Sequence, residues 1–154
     1  MNQDFKDLFR ILNEETVKYL VVGAYAVTFH SEPRYTKDLD IWISRDSANA
    51  KRVWAALSRF GAPLSDISMQ DFTDPDMVYQ IGIEPNRIDI IMEVSGSNFA
   101  DAWKNRVTSS YSDEPIALLS LDDLILAKKA AGRPQDLLDV EQLEKIKQAK
   151  ECNK

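Results

Sequence analysis

Residues 34–43 read RYTKDLDIWI, a run that is typical of a β-strand but carries two aspartates. In an extended chain alternate side chains share a face, so Asp38 and Asp40 lie on one face together with Trp42. The opposite face carries Leu39, Ile41 and Ile43. The pattern therefore predicts a strand with one apolar face and a pair of neighbouring carboxylates on the other.

These two carboxylates repel each other unless a cation lies between them. Two residues of strand place their Cα atoms roughly 6.6 Å apart, so the carboxylates can approach within about 5 Å. At an effective dielectric constant of about 20, like charges at that distance repel by roughly 3 kcal/mol. An arginine, a lysine or a divalent ion such as Mg²⁺ would offset this repulsion. A solvated strand end is the alternative interpretation.

The bulk composition is typical of one globular domain. The 154 residues are 44% hydrophobic and 29% charged, with a net charge of −6 that argues against an extended basic surface for duplex nucleic acid. Cys152 is the single cysteine and cannot form an internal disulfide. No apolar run reaches the roughly 18 residues of a membrane helix, and the start MNQDFKDLF does not resemble a signal peptide. We therefore expect a cytoplasmic protein with no membrane partner.

Apolar periodicity predicts alternating helices and strands. The predicted helices cover residues 4–14, 24–30, 46–60, 98–104 and 120–131, and the predicted strands cover 19–22, 38–43 and 115–119. After a loop at 62–76, strands 77–83 and 87–94 form a hairpin with a turn at 84–86. A final amphipathic helix carries Leu137, Leu138, Val140, Leu143 and Ile146. The fold class is thus α/β (α+β), a mixed sheet flanked by helices, in a single domain 1–154 with a core of about 1–112 and a helical C-terminal part of about 115–150.

Gly23 follows a short apolar strand, YLVV, and precedes a helix. A strand, a glycine and a helix in this order present free backbone N–H groups and the positive end of a helix dipole to an anion such as phosphate. The alternative is an ordinary junction between two elements.

Asp89 lies within the apolar run RIDII. A carboxylate in such a run is costly to bury unpaired, so it lies at a strand end or beside a partner. If this strand is adjacent to the strand of Asp38 and Asp40, the three carboxylates could hold two Mg²⁺ ions about 3.5 to 4 Å apart, an arrangement suited to in-line displacement at phosphorus.

Three cations, Lys128, Lys129 and Arg133, lie on or just after one predicted helix. Near a phosphate site they would neutralise charge that carboxylates repel. The alternative is a basic last turn that complements the helix dipole.

Three segments in this order, VVGAYAVTFHSEPRYTKDLDIWI, RIDII and DDLILAKKAAGRPQDLLDV, resemble nucleotidyltransferases of the DNA polymerase beta superfamily. Within that superfamily the chain is similar to the small bacterial branch that includes abortive-infection toxin nucleotidyltransferases. The resemblance covers residues 17–144. It implies the nucleotidyltransferase-like fold and catalysis of nucleotidyl transfer.

The resemblance also implies roles for the acidic residues. Asp38 and Asp40 correspond to the paired metal ligands, and Asp89 to the third carboxylate, which binds the catalytic metal and helps to deprotonate the acceptor hydroxyl. These three residues are thus the catalytic and metal-binding candidates, with two Mg²⁺ ions as the cofactor.

Further matches concern the nucleotide. Gly23 and Ala24 stand where the family has Gly followed by Gly or Ser, whose N–H groups hold the β- and γ-phosphates, and Arg34 and Thr36 match the Arg-x-Ser/Thr before the aspartates. Lys128 matches a lysine thought to contact the phosphates. The Arg-x-x-Asp-x-x-Asp ending of the same motif is matched by Arg133, Asp136 and Asp139, and Asp136 completes the nucleotide-binding candidates.

One departure from the family pattern is Ala24, which keeps its N–H but lacks the hydroxyl of a serine. His30 also lies in the matched region, but a lone histidine at a helix end is more often a structural hydrogen-bonding residue. The three tryptophans, at positions 42, 54 and 103, fit core or edge packing better than base stacking.

The function that follows is Mg²⁺-dependent transfer of a nucleoside monophosphate from an NTP to a hydroxyl of tRNA, a protein or a small molecule. The partners are then an NTP, that acceptor and, in a toxin–antitoxin pair, a partner protein. The alternative is a non-catalytic partner module of the same fold that binds a nucleotide or a protein.

Overall fold

The computed structural model describes residues 2–30, 38–82 and 86–152. Within these ranges the helices are α1 (Gln3–Glu14), α2 (Gly23–His30), α3 (Ser47–Phe60), α4 (Phe99–Lys104), α5 (Leu121–Ala131) and α6 (Pro134–Cys152), with a short 3₁₀ helix at Met69–Thr73. The strands are β1 (Tyr19–Val22), β2 (Leu39–Ile43), β3 (Val78–Ile81), β4 (Ile88–Ile91), β5 (Val107–Tyr111) and β6 (Glu114–Leu118). This arrangement confirms the predicted mixed sheet flanked by helices.

The six strands form one sheet in the order β3-β4-β2-β1-β6-β5. The central pair β1/β2 is antiparallel, whereas β2/β4 and β1/β6 are parallel. The predicted hairpin is confirmed as the antiparallel pair β3/β4. Most of its predicted turn lies outside the described residues, which resume at Asn86.

Helices cover both faces of the sheet. One apolar cluster joins α1 and α3 to a sheet face that includes Leu39, Ile41 and Ile43. The second cluster joins α2, α5 and α6 to the other face, where Trp42 is buried. The predicted alternation is therefore confirmed for residues 39–43, with Asp38 just before the strand, and the face of Asp40 is the face that α2 and α5 cover.

Local signals set several helix ends as the sequence predicts. The side chain of Asp46 accepts a hydrogen bond from the N–H of Asn49 at the start of α3, and Gly61 ends α3 in the left-handed conformation. Ser120 caps α5 through the N–H of Asp123. Among the described residues no helix is both long enough and apolar enough to span a membrane.

Two features of the fold differ from the prediction. Strand β5 was not predicted; it pairs with β6 through a turn at Ser112 and Asp113, both of which have positive φ. The apolar stripe predicted for α6 is wrong in part, because Leu137 and Leu138 are exposed while Val140 and Leu143 are buried. The buried face of α6 instead includes the aspartates at positions 136 and 139, whose charges have a cationic partner on α5.

Candidate active site

The parallel pairing of β2 with β4 places Asp40 directly beside Asp89. Asp38 immediately precedes β2, on the side of the same acidic pair. The two strands are far apart in sequence, so only their pairing brings the three carboxylates together. The structure therefore places the predicted carboxylates in one cluster at the end of the sheet where β1 leads into α2.

Gly23 makes room for this cluster. It has φ of +68°, and a Cβ atom added there would lie 2.2 Å from Oδ2 of Asp40. Such a contact is shorter than any normal non-bonded approach, and an L side chain also disfavours this φ. The helix α2 begins at Gly23, so the first N–H groups of that helix, including that of Ala24, point out from the same end of the sheet.

The electrostatic environment of Asp40 is unusual for a carboxylate. Burial, followed by the charge of Asp89 and a hydrogen bond shared with it, raises the pKa of Asp40 from 3.8 to about 6. The charge of Asp38 acts in the same direction, and Lys128 opposes it. The site holds more negative charge than its own groups neutralise.

Arg87 lies against two of the three carboxylates. Its Nη2 is 3.2 Å from Oδ2 of Asp38, and its Nε and Nη2 donate to the two oxygens of Asp89 at 3.0 and 3.3 Å. Arg87 is the first residue of RIDII, a segment in which the sequence pattern predicts a role only for Asp89. The spacing held the signal, because Arg87 and Asp89 are two residues apart in the predicted strand 87–94 and so would share a face.

The donor set suits a hard divalent ion, although the ligands do not yet converge. Among the described residues no three acidic, histidine or cysteine side chains already form a metal-binding group. However, Oδ1 of Asp38 is buried and has no hydrogen-bond partner within that part of the chain. Carboxylate oxygens of this kind are the ligands that Mg²⁺ takes in proteins, so the residues fit such an ion.

A cleft of about 170 Å³ lies beside the acidic cluster. Its walls include Gly23 and Asp40 on one side and Lys128, Arg133 and Asp136 on the other. The structure thus brings the predicted glycine, Asp40 and two of the three predicted cations to one place. Glu93 and Ser95 also line this cleft, although no sequence motif marks them as site residues. Lys129, by contrast, pairs with Glu144 and is half-exposed.

Lys128 is held at this cleft by a buried ion network. Its Nζ lies 3.2 Å from Asp136 and 3.3 Å from Asp139, and both aspartates are almost fully buried. Arg133 donates to Asp136 through Nε at 2.6 Å. Burial alone would raise the pKa of Asp136, but the hydrogen bonds from Arg133 and Lys128 outweigh burial and hold it below its usual value. Asp136 is therefore engaged by protein cations, a geometry that suits positioning of Lys128.

Several predicted residues lie away from this centre or outside the described residues. Arg34 and Thr36 fall in residues 31–37, which the structure does not describe. His30 is buried with its Nε2 2.9 Å from the carbonyl oxygen of Leu119, and burial lowers its pKa. That contact is the structural role expected of it.

The tryptophans pack as expected. Trp42 meets Phe99 edge-on, and Trp54 contacts Phe72 in the same way. Trp103 stacks on Phe99 and lies under the guanidinium of Arg106. None of these contacts leaves a stacking platform at the cleft.

Comparison with known proteins identifies a family. Residues 2–150 match the model of a family described as "Nucleotidyltransferase of unknown function (DUF6036)". No curated protein sequence matches the chain significantly. The family match confirms the resemblance to nucleotidyltransferases that the three sequence segments indicated.

Solved structures share the fold at low sequence identity. One is described as a lincosamide antibiotic adenylyltransferase, LnuA, bound to lincomycin; it is 14% identical, with 95% of this chain and 98% of that chain covered and a TM-score of 0.58. Another is the antibiotic-resistance factor ANT(2'')-Ia, which is 12% identical, with 97% and 90% covered and a TM-score of 0.58. At such identities the similarity establishes the fold.

Proposed function

The chain belongs to this nucleotidyltransferase family, and we propose that it transfers a nucleoside monophosphate from an NTP to a hydroxyl group in a reaction that requires Mg²⁺. Nucleotidyl transfer is the reaction of the family. The observation that supports the proposed chemistry is the register of β2 and β4, which sets Asp40 beside Asp89 at the start of α2.

The phosphate groups of the NTP would bind at the cleft wall formed by α2 and α5. The first N–H groups of α2, at Gly23 and Ala24, supply donors together with the positive end of a helix dipole. Lys128 and Arg133 line the same cleft and supply positive charge. Ala24 offers only its N–H, so we expect phosphate binding to depend strongly on these two cations.

The carboxylates would act beside the start of α2, on the same side of the cleft as Gly23. Asp38, Asp40 and Asp89 are the residues that would hold the metal ions. Bound Mg²⁺ would lower the pKa of the attacking hydroxyl and neutralise charge on the triphosphate. Asp89 would accept the hydroxyl proton, and the buried position of Asp40 would keep its oxygens directed into the cleft.

The acceptor that we favour is a hydroxyl of a small molecule. A cleft of about 170 Å³ and a net charge of −6 suit a small acceptor better than a long nucleic acid. The two solved structures compared above are described as antibiotic-modifying or antibiotic-resistance proteins, and we extend that acceptor class to this chain as part of the proposal. Transfer to tRNA or to a protein partner, including a role in a toxin–antitoxin pair, is the competing outcome.

The test is a transfer assay with each of four α-labelled NTPs and Mg²⁺. Wild-type protein, Asp40→Asn and a control, Asp66→Asn at an exposed loop position, are each offered a small-molecule extract, total RNA and cell protein as acceptors. We expect the wild type and the control to transfer label and Asp40→Asn to transfer none. Transfer of label by Asp40→Asn at a near-normal rate would show that the acidic cluster is not required for catalysis.

The fraction that carries the label distinguishes the remaining hypotheses about the acceptor. Label in the RNA or protein fraction would replace the small-molecule acceptor, and growth arrest on expression of wild type but not of Asp40→Asn would support a toxin role. If no fraction is labelled while NTP still raises the melting temperature, the chain is a nucleotide-binding partner module.

A further inference from the structure

Arg87 provides a positive charge within the acidic cluster. One guanidinium bridges Asp38 and Asp89, and it makes a two-pronged contact with Asp89 that engages both oxygens of that carboxylate. The Arg87 side chain is 29% exposed and that of Asp89 is 12% exposed, so the contact is only partly screened by water. Such forked arginine–carboxylate pairs have well-defined geometry and are stronger than single contacts.

We infer that Arg87 is the resident cation of the metal-free site and must release Asp38 and Asp89 before a divalent ion can bind there. This inference rests on the proposed metal-dependent function. It adds to that function a competition between a protein side chain and the metal for the same oxygens.

The competition follows from the geometry of the ligands. Mg²⁺ binds oxygen at about 2.0–2.1 Å and demands near-ideal octahedral directions. Both oxygens of Asp89 already accept N–H groups at 3.0 and 3.3 Å, which are directions that a metal ion would need. A guanidinium left in place would also lie close to the metal, and like charges repel. The metal therefore enters only as Arg87 withdraws.

The arginine leaves one oxygen of the acidic cluster unpaired within the described residues. It contacts Oδ2 of Asp38, whereas Oδ1 of the same residue is buried without a hydrogen-bond partner in the described ranges. Once Arg87 withdraws, this unpaired oxygen and the two oxygens of Asp89 are the ligands that a metal ion would gain. Without Arg87 the metal-free protein would hold three close carboxylates and no bridging cation, so the arginine also stabilises the fold before metal arrives.

The experiment compares Mg²⁺ and Mn²⁺ binding to Arg87→Gln with binding to the wild type, by calorimetry without nucleotide. The matched control is Arg59→Gln, because Arg59 also bridges two carboxylates, those of Glu14 and Glu15, at 2.7 and 3.0 Å. We expect the Kd for Mg²⁺ to fall about fivefold to tenfold in Arg87→Gln, the effect of removing a competing partly buried ion pair, and to stay unchanged in the control. We also expect the metal-free melting temperature of Arg87→Gln to fall and Mg²⁺ to raise it by more than in the wild type.

A second variant, Arg87→Lys, keeps the inference testable if Arg87→Gln fails to fold. Arg87→Lys keeps the charge but cannot bridge two carboxylates with a planar fork, so its metal affinity should lie between the other two. Unchanged or weaker binding in both variants, with normal binding in the wild type, would overturn the competition while leaving the metal-dependent function intact. No binding in any protein, Arg87→Gln included, would overturn both.

Discussion

Replacing Asp40 by Asn tests, without any substrate, whether the ionised form of Asp40 destabilises the folded protein. The pKa of Asp40 is raised from 3.8 to about 6 by burial and by the neighbouring carboxylates. Between these two pH values the folded protein holds a proton that the unfolded chain has lost. The free energy of unfolding of the metal-free wild type therefore falls as the pH rises through this window.

The size of the effect follows from the pKa difference. At 1.36 kcal/mol for each pH unit, the ionised Asp40 costs up to about 3 kcal/mol of stability above pH 6. Asn keeps the shape of the side chain, cannot ionise, and can donate a hydrogen bond to Asp89. For a domain of this size about 1 kcal/mol corresponds to roughly 2–4 °C, so at pH 8 we expect Asp40→Asn to melt several degrees above the wild type.

The assay is thermal unfolding followed by circular dichroism, in a chelator, at pH 4.5 and pH 8. The difference between the melting temperatures of mutant and wild type should shrink to about a third at pH 4.5, where Asp40 is protonated in the folded wild type and only about 1 kcal/mol of the cost is present. The exposed control Asp66→Asn should show no such pH-dependent gain. A mutant that melts below the wild type by the same margin at both pH values would refute the reasoning and mark Asp40 as a structural hydrogen-bonding residue.

Two further substitutions test other parts of the site. Gly23→Ala places a Cβ 2.2 Å from the carboxylate of Asp40, so we expect at least about a hundredfold loss of transfer, measured with labelled NTP. The control is Gly61→Ala, where φ is +90° and no atom of a described residue other than its chain neighbours lies within 4 Å of the added Cβ. It shares the backbone strain and should destabilise the protein without that loss of transfer. Lys128→Met removes the cation that two buried carboxylates share, of which Asp136 keeps its contact with Arg133. We expect it to lower the free energy of unfolding in urea by at most about 3–5 kcal/mol and to weaken NTP binding, whereas Lys129→Met should change either by little. Equal effects of the two substitutions would contradict the assignment of Lys128 to the cleft.

Most of the fold could be predicted because its signals are local. Alternation at residues 38–43 determined which side chains share a face, and Gly61 and Gly132 mark helix ends that the structure confirms. The short strand β5 escaped prediction because its polar alternation, VTSSY, resembles a loop until a partner strand is known. Its pairing with β6 is visible only in the tertiary structure.

The candidate site divides in the same way. The sequence by itself determined that Asp38 and Asp40 are neighbours and that a glycine precedes a helix, since both follow from spacing along one element. Only the tertiary structure decided that Asp89 joins them and that Arg87 bridges two of the acids, because the register of two distant strands is set by pairing across the sheet.

The same reason explains why α6 buries Asp136 and exposes Leu137. Apolar periodicity alone predicts that the least polar face of a helix is buried, which for α6 is the face with the leucines. The choice instead depends on a lysine that a different helix brings into contact, because a buried carboxylate is tolerated only where a cation and hydrogen bonds compensate it. The spacing of residues within one segment can be read from the sequence. The neutralisation of a buried charge by a residue from a distant segment exists only once the chain has folded.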